Sequence, residues 1–264
     1  MASHTEDAVF EWRPASLFRD GPLSEPYAVI VLNQPLRNLR SIKHVWARAS
    51  YRVAADGGAN RLHDSREAAG ESFENLNVII GDLDSLRDET RAYFTSLGSA
   101  VVHDPDQYST DFGKAVKYIW AQHPQMHIIA IGGLGGRVDQ GVSQLHHLFL
   151  FQDDGSSGKD GIDRRMYLLS SESITFLLPT GRHCIHVREE SGPATADVFA
   201  KYVGILPMQG PSIISTKGLE WDVTDWNTQF GGLVSTSNHI LPDTRTVEVE
   251  TNRPVVFTVA LKDT

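Results

Sequence analysis

Four short apolar runs that each empty into an aspartate-bearing loop constrain this chain more than any other feature. Tyr51-Arg52-Val53-Ala54-Ala55 leads into Asp56-Gly57-Gly58-Ala59-Asn60, and Val78-Ile79-Ile80 into Gly81-Asp82-Leu83-Asp84-Ser85. Ala100-Val101-Val102 leads into the stretch from His103 to Asp111, and Ile128-Ile129-Ala130-Ile131 into Gly132-Gly133-Leu134-Gly135-Gly136-Arg137-Val138-Asp139. Apolar runs without polar alternation suit strands buried on both faces. A fifth run, Ala28 to Leu32, precedes them, and stretches such as 87–97, 110–122 and 140–151 are long enough for helices. Alternating strands and helices imply a parallel sheet with helices packed on it.

The pattern changes past the middle of the chain. Residues 152–165 contain Asp-Asp-Gly-Ser-Ser-Gly-Lys-Asp-Gly, too polar to bury surface and therefore a linker loop. Beyond it, strand-like pieces at 166–170, 174–178, 183–188, 213–216, 232–235, 246–249 and 255–261 are separated by turn signals such as Pro179-Thr180-Gly181, as in an antiparallel sandwich. The expected fold class is an α/β N-terminal domain with a mostly parallel sheet at 28–151, then an antiparallel β-sandwich at 166–264. Residues 1–27 form an N-terminal extension.

Composition narrows the chemistry. With 24 Lys+Arg against 33 Asp+Glu the formal charge is -9, which repels nucleic acid and anionic membrane surfaces. A phosphorylated ligand must then be held locally. A single cysteine, Cys184, excludes an internal disulfide and any cysteine-based zinc cluster. Acidic residues near the N-terminus replace the apolar stretch of a signal peptide, no run reaches membrane-spanning length, and the expected location is cytoplasmic.

In open α/β sheets, ligands bind beyond the carboxyl ends of the strands. Any one of these acids is accounted for as a helix cap or turn residue. Together they crowd like charges at one edge, which raises their pKa values unless a cation neutralises them. Mg²⁺ takes hard oxygen ligands and completes its shell with water and substrate phosphates, so it is the expected ion, with Asp82 and Asp84 the sharpest pair. The glycine-rich turn after Ile131 exposes backbone amides to an anion yet matches neither the Walker nor the dinucleotide fingerprint. Arg137 either grips a phosphoryl oxygen or pairs with Asp139.

These blocks, with Ser109-Thr110-Asp111-Phe112 and the late Leu233-Val234-Ser235-Thr236-Ser237-Asn238, occur in an order that resembles the thiamine pyrophosphokinase family across residues 28–261. The resemblance implies transfer of a diphosphate from ATP to the hydroxyl of thiamine, with Mg²⁺, AMP as coproduct and a homodimer. It makes Asp82, Asp84 and Asp111 metal and diphosphate-handling acids, joined by Asp139 and Asp56. Gly57, Gly58, Asn60, Thr110, Lys114, Gly133, Gly135, Gly136 and Arg137 would serve ATP. Gln107 resembles the residue that contacts the thiamine pyrimidine, and Ser235, Ser237 and Asn238 the thiamine-side segment of the sandwich. Tyr108 stands where the family often has a second acid, and against the family pattern the stretches 152–165 and 189–201 resemble insertions. Trp221 is either part of a functional loop or a core aromatic, and His146 and His147 are expected in packing or surface hydrogen bonds. Two alternatives remain: another Mg²⁺-dependent phosphoryl or nucleotidyl transferase, and a non-catalytic thiamine or nucleotide-binding protein.

Overall fold

A computed structural model describes residues 9–21, 23, 25–69, 73–152, 163–188 and 197–262. The expected linker at 152–165 and the insertion-like stretch 189–201 lie largely outside them. The chain divides into two compact units, one of Ser24–Leu148 and Ile162–Ser171, the other of Met1–Leu23, Phe149–Gly161 and Glu172–Thr264.

The first unit alternates β2 (Tyr27–Val31), α1 (Leu39–Arg48), β3 (Tyr51–Ala55), α2 (Gly58–Ala69), β4 (Val78–Gly81), α3 (Asp88–Ser96), β5 (Ala100–His103), α4 (Asp111–Gln122), β6 (His127–Ile131), α5 (Val138–Phe151) and β7 (Met166–Leu169). Its strands lie in the order β7-β6-β2-β3-β4-β5, and every neighbouring pair is parallel. All five residues of β2 and all four of β4 and β7 are buried, as expected where helices cover a parallel sheet. The path runs outward from β2 to β5, then returns to the other side of β2 for β6 and β7. Direction therefore reverses at the β2–β6 pair, where the loops at the carboxyl ends part and leave a crevice.

The second unit holds two sheets, β1-β9-β14-β11-β12 and β13-β10-β15-β8. They are built from β1 (Val9–Trp12), β8 (Ser173–Leu178), β9 (Gly181–His186), β10 (Phe199–Leu206), β11 (Ser212–Lys217), β12 (Trp226–Thr228), β13 (Ser235–His239), β14 (Thr246–Thr251) and β15 (Val255–Leu261). Except for the parallel β1–β9 pair, the paired neighbours run antiparallel. In β14, buried Val247, Val249 and Thr251 alternate with exposed Glu248 and Glu250, the mark of a sheet with one wet face. Trp12 stacks on Phe176 with ring centroids 4.8 Å apart, and Phe176 packs on Phe257.

Several expectations need correction. Residues 9–12 are not outside the sandwich: they form β1, which pairs with β9, and the Trp12 indole donates to His183 Nδ1 at 3.1 Å. Met166–Leu169 extends the parallel sheet beside β6 instead of opening the sandwich, consistent with burial of both of its faces. The stretch 189–201 that resembles an insertion runs into β10, an eight-residue strand whose exposed Lys201 and Tyr202 interrupt its apolar pattern. The strand expected at 232–235 lies later, at Ser235–His239, with Gly232 in a turn.

Candidate functional site

Three carboxylates meet beyond the ends of β3 and β4. Asp56 follows β3, Asp82 follows β4, and Asp111 opens α4; one carboxylate oxygen of each lies within 4.8 Å of the others. The convergence depends on backbone geometry. Asp56 adopts a left-handed conformation, φ 41°, anchored by its amide on Ile80 O at 2.9 Å. At Gly81 a β-carbon would stand 2.7 Å from Asp56 Cβ and 2.8 Å from Asp111 Oδ1, so any side chain there would push the acids apart.

The acids are unequal. Asp56 is 3% exposed; Oδ2 accepts from the Ser85 amide at 3.1 Å, while Oδ1 is buried with no hydrogen-bond partner among the described residues. Burial pushes its carboxyl above the ordinary value, and the charges of Asp111 and Asp84 push the same way against the Ser85 hydrogen bonds. Asp111 Oδ1 accepts from Lys114 Nζ at 3.2 Å and from the Asp82 amide at 3.3 Å. Lys114 is the cation that faces this group from within α4, and it is buried. An orphaned carboxylate oxygen in an all-oxygen donor set fits a hard divalent cation such as Mg²⁺.

A cleft of about 500 Å³ opens beside the acids and reaches the β2–β6 switch point, lined there by Asn33, Gln34, Gly132 and Gly133. Gly58 lies so close to β2 that a β-carbon would meet Val31 O at 2.1 Å, and one at Gly57 would meet Asn33 Nδ2 at 2.4 Å. Gly132, Gly135 and Gly136 have φ of 79°, 129° and 69°, which leaves their turn open to close backbone approach. Gln107 also lines the cleft, with Nε2 3.5 Å from Asp82 Oδ2.

Other expected residues fall elsewhere. Asp84 is exposed and outside the close trio, and its Oδ1 accepts from Ser85 Oγ at 2.9 Å. Asp139 does not join the acidic cluster; it is exposed and forms a bidentate pair with Arg137, which holds its carboxyl below the ordinary value. Arg137 still lines the cleft. Asn60 ties down the loop after Asp84, donating to Ser85 O at 2.7 Å and accepting from the Arg87 amide at 3.2 Å. In the second unit, Asn238 clasps the Trp221 backbone from both sides, Nδ2 to Trp221 O at 2.9 Å and Oδ1 from Trp221 N at 3.2 Å. Ser235 and Ser237 share its strand, with Ser237 at φ 55°. Trp221 is no core residue: 55% exposed, it lies against His239. Tyr108 is fully exposed, and the cleft lining passes it by.

The sequence gives no signal for Asn33 and Gln34 in the cleft, and it points to His147 only as a packing or hydrogen-bonding residue. Asn33 and Gln34 follow β2, a strand end that carries no acid and so drew no attention. His147 is buried on α5; Nδ1 donates to Ser143 O at 2.5 Å, so Nε2 accepts from the Thr110 hydroxyl at 2.7 Å. Thr110 Oγ1 accepts in turn from the Gly113 amide at 3.1 Å and caps α4 just before Asp111. An SxxxH spacing inside a helix gives no sequence hint of a partner beyond that helix.

Residues 42–157 match the family model described as thiamin pyrophosphokinase, catalytic domain, and residues 182–256 match thiamin pyrophosphokinase, vitamin B1 binding domain. Thiamine pyrophosphokinase 3 of Oryza sativa subsp. japonica is 34% identical over 253 residues, covering 89% of this chain and 87% of the relative. Thiamine pyrophosphokinase 1 of Arabidopsis thaliana is 33% identical over 257 residues, covering 90% and 87%. The fold is similar to the crystal structure of yeast thiamin pyrophosphokinase, with TM-score 0.82 at 22% identity over 99% of this chain and 94% of that one.

Proposed function

The chain belongs to the thiamine pyrophosphokinase family, and we infer that its cleft carries the family reaction, transfer of the diphosphate of ATP to the hydroxyl of thiamine with release of AMP. The observation that carries the site assignment is the meeting of Asp56, Asp82 and Asp111, one of whose buried oxygens has no hydrogen-bond partner among the described residues. In this reading these three acids hold Mg²⁺, Asp84 lies outside the trio, and the bound ion would neutralise charge on the polyphosphate.

The protein's own part is to position and to balance charge, which is most of what phosphoryl-type transfer requires. The backbone at Gly57, Gly132 and Gly133 lines the cleft and receives the nucleotide, while Gly58 packs against β2 and Gly135 and Gly136 complete the turn. Arg137 offers its guanidinium at the cleft wall once phosphate competes with Asp139. Lys114 and the Asp82 amide fix Asp111. Gln107 orients the pyrimidine of thiamine so that its hydroxyl lies in line with the β-phosphorus, and the proton of that hydroxyl passes to Asp111 or to water. Asn238 acts through the Trp221 loop, and a homodimer in the cytoplasm completes the reading.

The decisive experiment is nucleotide product analysis with purified protein, ATP and Mg²⁺. Thiamine-dependent appearance of AMP and thiamine diphosphate is expected. Release of ADP would replace the reading with a monophosphoryl transferase, and metal-independent thiamine binding without turnover would replace it with a binding protein. Light scattering in solution tests the dimer.

A further inference from the structure

The outer face of the five-stranded sheet gathers a second group of ligand-bearing side chains. In β9, His183 and Ile185 are buried in the sandwich, so Cys184 and His186 face the other way. In β1, Trp12 is buried and Glu11 shares that outer face. Parallel register sets Glu11 directly opposite Cys184, and His186 follows two residues along the same face. One ligand atom of each lies within 4.8 Å of the others, and His186 Nε2 already meets Glu11 Oε2 at 2.5 Å.

We propose that Glu11, Cys184 and His186 form a binding site for a thiophilic divalent cation, Zn²⁺ in the first instance, which clips the N-terminal strand β1 to β9. Ligand atoms around tetrahedral Zn²⁺ stand about 3–4 Å apart, given bonds of about 2.0–2.3 Å. The side chains therefore need to close by only about 1 Å, which torsions in the Glu11 side chain supply. The donor set is sulfur, imidazole nitrogen and one carboxylate, soft enough to favour Zn²⁺ over the Mg²⁺ suited to the all-oxygen cleft.

Without metal, His186 pairs with Glu11 and the Cys184 thiol hydrogen-bonds to the same carboxylate, so all three side chains already converge on one point. Glu248 on β14 is in register with Cys184 on the side opposite Glu11, and it is held there by Lys217 Nζ at 2.9 Å. Burial raises the affinity of the thiol for its proton, and the charges of Glu11 and Glu248 add to this against Arg13. A divalent cation reverses that balance: the thiol proton leaves to solvent, the thiolate binds, and the acidic surroundings favour the charge brought in. Three protein ligands leave the fourth position to water. The single cysteine that excludes a cysteine-rich cluster is compatible with this mixed set.

The test uses metal-free full-length protein titrated with Co²⁺ as the spectroscopic probe. One equivalent is expected to produce a near-ultraviolet sulfur-to-cobalt charge-transfer band that Zn²⁺ abolishes. Because Cys184 is the only cysteine, the band reports on this site alone. Stoichiometric Zn²⁺ should also slow alkylation of Cys184, and a chelator should restore it. Loss of outer-shell partners already weakens metal sites about 10–100-fold, so Glu11→Gln and His186→Ala should each cost about tenfold or more in Zn²⁺ affinity. Asp111→Asn, in the cleft, should leave the band intact. Glu11→Gln is isosteric and exposed, so it serves even if His186→Ala fails to fold. Cobalt binding without the charge-transfer band, alkylation unaffected by Zn²⁺, or wild-type affinity in Glu11→Gln would each overturn the site.

Discussion

Lys114 Nζ stands 3.2 Å from Asp111 Oδ1, three residues apart on α4, with the lysine side chain 1% exposed. A buried ammonium is thus committed to one carboxylate of a three-acid cluster. Lys114→Met should destabilise the metal-free protein by about 2 kcal/mol, the scale of a hydrogen bond to a charged group. Added Mg²⁺ should recover part of that loss, because it supplies the missing positive charge. Denaturant unfolding with and without Mg²⁺ measures both; a variant as stable as the parent would remove Lys114 from the charge balance.

Asp56→Asn should act in the opposite direction on stability. The buried carboxylate carries an oxygen with no partner among the described residues and a raised pKa, so its folded form is fully favourable only when protonated and loses ground as pH rises through that pKa. A neutral amide avoids this loss at neutral pH. Without metal the variant should melt higher than the parent, while the Mg²⁺-induced rise in Tm shrinks and turnover falls roughly 100-fold, about 2.7 kcal/mol. Unchanged turnover at saturating Mg²⁺ would take Asp56 out of the ion's shell.

Gln107 reaches the cleft from the loop before α4 and has only a long contact, 3.5 Å, to Asp82. Gln107→Ala should raise the thiamine KM about tenfold, or about 1.4 kcal/mol for one hydrogen bond, with little effect on the KM for ATP. Equal effects on both substrates would count against the assignment.

The chain from Ser143 O through His147 and Thr110 to the Gly113 amide fixes the helix turn that presents Asp111. Thr110→Ala and His147→Phe should each cost about 1 kcal/mol, as losing a helix cap does. Because both break the same chain, the double variant should cost less than the sum. Additive losses in a double-mutant cycle would separate the two residues.

His127 supplies a pH test. Burial, helped by Arg165, lowers its pKa to about 4, and Nδ1 accepts from the Arg165 amide at 3.0 Å. The unfolded chain takes up the proton near pH 6.5 and the folded chain only near 4, so stability present above pH 6.5 is lost as pH falls toward 4. The loss approaches about 3 kcal/mol, at about 1.36 kcal/mol per pH unit between the two pKa values. His127→Gln keeps an acceptor and cannot titrate, so the parent should lose stability faster than the variant across this range in urea titrations.

The fold was largely legible because its signals are local. Unalternating runs such as Val78–Ile80 mark strands covered on both faces, and Asp and Gly at their ends mark the ligand edge. Where local signals conflicted, reading failed: exposed Lys201 and Tyr202 hid β10, and Met166–Leu169 was grouped by position although its burial belongs to a parallel sheet.

The sequence alone determined the class of fold, the order of its halves and the edge where the acids gather, since these follow from hydrophobic period and turn chemistry along the chain. Only the tertiary structure decided which acids meet. Asp84 and Asp139 sit in motifs as suggestive as that of Asp56, yet one turns to Ser85 and the other to Arg137. Asp56 enters the trio because its left-handed backbone, the bare Cα of Gly81 and the β3–β4 register aim it inward. The same holds for Glu11 and Cys184, 173 positions apart in sequence and neighbours through strand pairing. A carboxylate's role depends on which groups surround it in space, and no spacing along the chain encodes that.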